Sequence, residues 1–179
     1  MDTWATSRAS WLSAARRPDV APALEAIFAE AAGAIAARGP ACWASGRCCN
    51  FDAAGHRLYT TGLEAAYTVV RAPGVSLPVQ PPAQQDEGRW RGGSLSLAQI
   101  GSARARGGCP FQAGNLCGVH PIKPVACRVY FCDRTAQAWQ HDLAERLHER
   151  VRHLHERFQI DYRYAEWREL LEILARPGT

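Results

Sequence analysis

"CPFQAGNLCGVHPIKPVACRVYFC" (residues 109–132) holds four of the chain's seven cysteines together with three prolines and two glycines. A stretch so punctuated cannot run as one helix, because proline removes a backbone donor and pushes the residue before it out of helical backbone. Residues 109–118 read instead as two short extended pieces around an Ala113-Gly114-Asn115 turn. Pro124 suits the first turn of a short helix that follows. With so little regular structure, the role of the cysteines decides what is built around this stretch.

The other three cysteines lie sixty residues upstream in "ACWASGRCC" (residues 41–49), as Cys42, Cys48 and Cys49. Seven is an odd number, and the start of the chain ("MDTWATSRASWLSAARRPD") carries an early acid and no apolar core of a secretory leader. That combination points to the cytoplasm, where disulfide frameworks are disfavoured and metal or redox chemistry is the better use of thiols. Composition is that of an ordinary globular protein, 47% hydrophobic and 21% charged over 179 residues, enough for one domain with a real core. Lys123 is the single lysine among 21 basic residues. The net charge of +4 is spread among glutamates, so no concentrated basic face suggests nucleic acid. No continuous run of about 18 apolar residues suggests a membrane span.

Around the cysteines the pattern is mainly helical. Val20, Leu24, Ile27, Phe28, Ala31 and Ile35 recur at three-to-four spacing, which predicts an amphipathic helix over 18–38, stopped by Gly39-Pro40. A short extended piece at 57–60 precedes a helix over 62–71 capped by Thr60 or Thr61. Residues 72–94 read as a long loop, either a surface excursion or a cover for a site. A short helix fits within 94–108, and two C-terminal helices within 137–158 and 164–175. The six tryptophans are dispersed and read as packing groups. The expected fold is one small, mainly α domain over 1–179, with short extended pieces and loops around a cysteine cluster spanning 42–132 and C-terminal helices over about 137–175.

All seven cysteines, Cys42, Cys48, Cys49, Cys109, Cys117, Cys127 and Cys132, are candidate ligands, since thiolates bind zinc and iron–sulfur clusters. Buried apolar cysteines are the competing reading. Adjacent side chains diverge, so Cys48 and Cys49 suit different corners of a cluster better than one small ion. Cys127 and Cys132 lie about 500° apart around an ideal helix and point apart unless the helix ends between them. His120 and His56 are further candidates. His141, His148, His153 and His155, set among Arg and Glu, read as a solvated face. Asp52, Glu64 and Asp133 read as caps or surface charges.

The series Cys42-x-x-Ser45-x-Arg47-Cys48-Cys49, Cys109-Pro110-Phe111 and Cys117-x-x-His120-x-x-Lys123-Pro124-x-x-Cys127-Arg128-x-Tyr130 resembles the YkgJ-type cysteine-cluster family, the CxxCxxCC zinc- or iron-chelating domain. Three positions depart from that pattern: Ser45 stands for a cysteine, His120 for a tyrosine and Lys123 for an arginine. The resemblance implies an iron–sulfur cluster or zinc held by the cysteines. Related motifs in the flagellin lysine methylase suggest redox or modification chemistry. Arg128 is expected beside the cofactor, donating to sulfur or balancing charge, with a surface ion pair as the alternative. Serine is a poor ligand for soft metals, so Ser45 leaves either an open coordination position or a lost one. An enzyme or redox protein acting on an unidentified substrate, a zinc-stapled module that binds a protein partner, and a degenerate member that no longer binds metal are the three functional classes this allows.

Overall fold

The computed structural model describes residues 3–42, 45–75 and 93–177. Most of the expected 72–94 loop lies outside them. Among the described residues the fold is mainly helical, as expected. The first 17 residues, to which the sequence reading gives no element, contain α1 (Thr3–Ala14). It is followed by α2 (Val20–Arg38), α3 (Phe51–Ala54), β1 (Tyr59–Thr61), α4 (Gly62–Arg71) and α5 (Leu97–Ala105). The cysteine-rich stretch supplies β2 (Gln112–Ala113), β3 (Leu116–Cys117) and α6 (Val125–Arg128), and α7 (Gln137–Arg157), β4 (Tyr164–Glu166) and α8 (Trp167–Ala175) complete the chain.

Local chemistry explains most of these boundaries. Thr61 and Glu64 form a capping box at the start of α4, and Ser96 and Gln99 do the same for α5. Gly39 ends α2 in the left-handed conformation, φ 62°, where its N–H reaches the Ile35 carbonyl. The last helix begins later than the apolar stripe suggests. Tyr164 belongs to β4, which pairs antiparallel with β1, so that Thr61 faces Tyr164 and Tyr59 faces Glu166.

Buried residues from Trp11 to Leu174 form one continuous core. Leu24 of α2, Leu63 of α4, Leu143 and Leu147 of α7, and Trp167, Leu170 and Leu171 of α8 are all fully enclosed. α2 departs from the amphipathic expectation. Its buried face is the expected one, but alanines continue round the helix, which makes it long and apolar enough to cross a membrane by length and composition alone. Its core-facing residues pack inside the domain, while only about 33% of the apolar stretch is buried.

Gly62 is required by packing. A Cβ there would collide with the indole of Trp11, which lies flat on the start of α4 and donates to the Asp161 carbonyl at 2.7 Å. Gly62→Ala should therefore cost at least about 2 kcal/mol by overpacking, read as a lower urea midpoint with unchanged m-value. A change under about 0.5 kcal/mol would contradict this packing.

His155 corrects the solvated-face expectation: it is only 1% exposed. Its Nδ1 lies 3.3 Å from the Ile160 carbonyl and 3.2 Å from that of Asp161. Carbonyls only accept, so Nδ1 carries the hydrogen, and Nε2 is buried without a partner among the described residues. Burial lowers the His155 pKa from its usual 6.5 and outweighs the two carbonyls. The unfolded chain therefore takes up this proton more readily, and the stability His155 lends is present above about pH 6.5 and lost as pH falls further. Between about pH 6.5 and 5 the wild type should lose stability more steeply than His155→Gln. Equal slopes in urea titrations would contradict the assignment.

Candidate metal centre

The two cysteine blocks meet. Cys48, Cys49, Cys109, Cys117 and Cys127 line one small cavity of about 20 Å³, with Lys123 and Trp167 also in its wall. The first pair is carried by a tight turn over Arg47–Cys49, entered through Gly46 at φ 73°. A Cβ on Gly46 would lie 3.1 Å from the Asn115 Cα, so this turn can press directly onto the β2–β3 hairpin. The Cys109 N–H donates to the Cys49 carbonyl at 2.7 Å, a direct backbone tie between the blocks. The hairpin then places Cys117 opposite Gln112.

Pro124 opens α6, which ends after Arg128. The helix thus ends between Cys127 and Cys132, the condition under which the two need not point apart, yet only Cys127 reaches the small cavity. Cys48 and Cys49, although adjacent, both line it. All seven cysteines are free thiols, and Cys49 and Cys109 belong to the hydrophobic core.

Two further residues hold the thiol wall. Trp167 Nε1 donates to Cys109 Sγ at 3.4 Å, bringing an N–H from a segment 58 positions away onto sulfur. Glu64, read from sequence as a cap or surface charge, is indeed a cap, but a buried one with a second task. Its Oε2 accepts from the Thr60 and Thr61 hydroxyls, both at 2.8 Å, and from the Thr61 N–H at 3.2 Å. Its Oε1 accepts from the Val125 N–H at 2.8 Å, at the start of the turn that bears Cys127.

The thiols also perturb one another. Cys49 sits against Cys109, Cys117 and Cys48, and these neighbours, with burial, raise its pKa above the ordinary thiol value. The Cys48 thiol is lowered to about 6, chiefly by its neighbour Cys49; burial opposes this and Lys123 supports it. Cys117 is lowered chiefly by Cys49, whereas Cys127 is raised chiefly by burial.

The other two cysteines do not reach the small cavity. Cys42 and Cys132 line a larger adjoining cavity of about 430 Å³, whose wall includes Cys48, Cys117 and Cys127 from the small one. Ser45 is in this larger wall, with its Oγ 3.8 Å from Cys132 Sγ, and is not part of the five-thiol wall. His120, Lys123 and Arg128 also line it. Arg128 donates to the Pro121 carbonyl at 2.7 Å and stacks 4.1 Å over the Phe28 ring, and among the described residues no sulfur or carboxylate accepts a hydrogen bond from it. His56 is stacked 4.6 Å from the Tyr130 ring and lines neither cavity.

Among the described residues, no group of three or more His, Cys, Asp or Glu side chains is already arranged to hold a metal ion. The five thiols share a wall without closing into a ligand polyhedron. A cavity of about 500 Å³ elsewhere is lined by Arg57, Arg104, Arg168 and Arg176 and by three glutamates. Arg104 and Arg176 pair with Glu172, and Arg168 with Glu166, so much of its charge is internally compensated.

Comparison with known protein families, curated proteins and solved structures returned no match. Glu64→Gln replaces one acceptor oxygen by an amide that faces donors. It should cost about 2 kcal/mol in urea unfolding and speed alkylation of Cys127 in the native protein. Unchanged stability and unchanged Cys127 reactivity would contradict the tether.

Proposed function

We propose that this protein is a metal-binding protein whose centre is held by thiolates drawn from Cys48, Cys49, Cys109, Cys117 and Cys127, with an iron–sulfur cluster as the leading assignment. The single observation that carries this reading is the convergence of five free thiols, from segments far apart in sequence, on one cavity wall. Their donor chemistry suits both candidate groups, since soft thiolates select iron–sulfur clusters and zinc. More thiols than one tetrahedral ion needs favour the cluster. The space favours a single ion: about 20 Å³ is room for one water-sized particle. A cluster would therefore draw on the adjoining cavity as well, which shares Cys48, Cys117 and Cys127.

Bound there, a cluster supplies one-electron redox chemistry and zinc supplies a Lewis acid or a structural cross-link. The chain's own residues set the surroundings. The core closes off the side at Cys49 and Cys109. Lys123 offsets the negative charge of thiolates, and the Trp167 N–H orients Cys109. The cavity of about 430 Å³ is within the size range of small-molecule sites and would admit a substrate to the remaining side. Ser45, Cys42 and Cys132 would then border that substrate space. The second reading is a zinc-stapled interaction module, favoured by the small thiol cavity and by the place of Cys49 and Cys109 in the core.

Anaerobic purification followed by iron, zinc and acid-labile sulfide analysis, with a visible spectrum, decides between them. The proposal expects iron with stoichiometric sulfide and a broad sulfur-to-iron absorption. About one zinc per chain and no colour would select the structural reading. Protein that retains neither metal, and whose melting temperature a chelator leaves unchanged, would overturn both.

A further inference from the structure

A different cavity lies on the far side of the cysteine-bearing turn, between β1, β4, α6 and α7. Its volume is about 250 Å³ and its wall includes the Tyr59 and Tyr164 rings, His148, Glu64 and Glu145. The chain has 21 basic residues, yet among the described residues no lysine or arginine lines this space. The Tyr59 and Tyr164 rings face each other at 6.0 Å with an interplanar angle of 29°. His148 meets Tyr164 at 4.5 Å and 67°, so the aromatic groups make a wall with a corner. Tyr59 is 41% and Tyr164 50% exposed, so both rings are open to a ligand.

The hydrogen-bonding groups in the wall are largely committed. The Thr60 hydroxyl donates to Glu64, and Glu64 already accepts four hydrogen bonds. His148 Nε2 is engaged with the Tyr162 hydroxyl at 2.9 Å. Glu145 is exposed on α7 and has no ion-pair partner among the described residues.

We propose that this cavity binds a methylated ammonium headgroup of a small molecule. Ring faces attract a cation electrostatically, and the two carboxylates add a field of the same sense. An anionic ligand would meet those carboxylates with no cationic side chain to hold it. A primary ammonium brings three N–H donors, for which the wall offers chiefly Glu145. A quaternary group needs ring contact and negative potential, both of which the wall supplies. The volume lies just below the roughly 300–1,000 Å³ range of drug-sized ligand sites, which suits a headgroup. Burial, reinforced by the nearby Glu64 and Glu145 carboxylates, raises the Tyr164 pKa, consistent with that negative field. The site shares the Glu64 and α6 framework with the thiol cavity but none of its cysteines.

Titration calorimetry on the full chain tests this with tetramethylammonium chloride, n-butylammonium chloride and uncharged neopentyl alcohol, at matched ionic strength. Saturable tetramethylammonium binding in the millimolar range is expected, at least fivefold weaker for n-butylammonium and absent for neopentyl alcohol. Glu145→Gln and Tyr164→Leu should each weaken it fivefold or more. Glu145 sits on an exposed helical face, so its variant reads the site even where Tyr164→Leu disturbs the β1–β4 pair. No saturable binding, equal binding of the neutral isostere, or Glu145→Gln binding as tightly as wild type would overturn the proposal.

Discussion

The Glu64 carboxylate is the constraint on which the rest depends. A buried carboxylate is costly unless its oxygens are satisfied, and here both are. One oxygen closes the capping box that starts α4 and takes the Thr60 hydroxyl of β1. The other takes the Val125 N–H. Pro124 breaks the chain just before Val125, so that N–H begins a four-residue helix too short to be stable alone. Glu64 supplies the missing anchor and fixes the turn that aims Cys127 into the thiol cavity. A single buried side chain thereby joins the strand pair, the core helix and the cysteine-rich stretch.

The thiol cluster in turn sits at a boundary between two environments. Cys49 and Cys109 are core residues, whereas Cys48, Cys117 and Cys127 also face the larger cavity. Low-dielectric surroundings disfavour thiolates and keep water away. Lys123, in the wall of both cavities, works the other way. Lysine occurs once in a chain that otherwise uses arginine, and that one lies in a cavity wall beside several thiols.

Much of the helical framework is legible in the sequence because its signals are local. The 3.6-residue stripes predict α2 and α7, the threonines at 60 and 61 mark the start of α4, and the Ala113-Gly114-Asn115 turn marks the β2–β3 hairpin. Long-range closure is less legible. Tyr164 continues an apolar stripe and reads as helix, but pairing with β1 holds it extended. His155 is hidden by its charged neighbours, although the four-residue step through Leu143, Leu147 and Val151 lands on it. Cysteine spacing identifies candidate ligands but not which of them meet: five share one cavity wall while Cys42 and Cys132 border another, with Ser45 beside Cys132. Trp167 carries no sequence signal for its contact with Cys109, because that contact depends on how α8 docks.

The central claim is that one five-thiol wall holds the metal, with Cys42 and Cys132 outside it. The most direct measurement is the metal content of serine variants of single cysteines, each checked for folding. Cys109→Ser and Cys117→Ser should lose most of the bound metal, while Cys42→Ser and Cys132→Ser keep the wild-type stoichiometry. Metal lost from Cys42→Ser but retained in Cys109→Ser and Cys117→Ser would contradict the account.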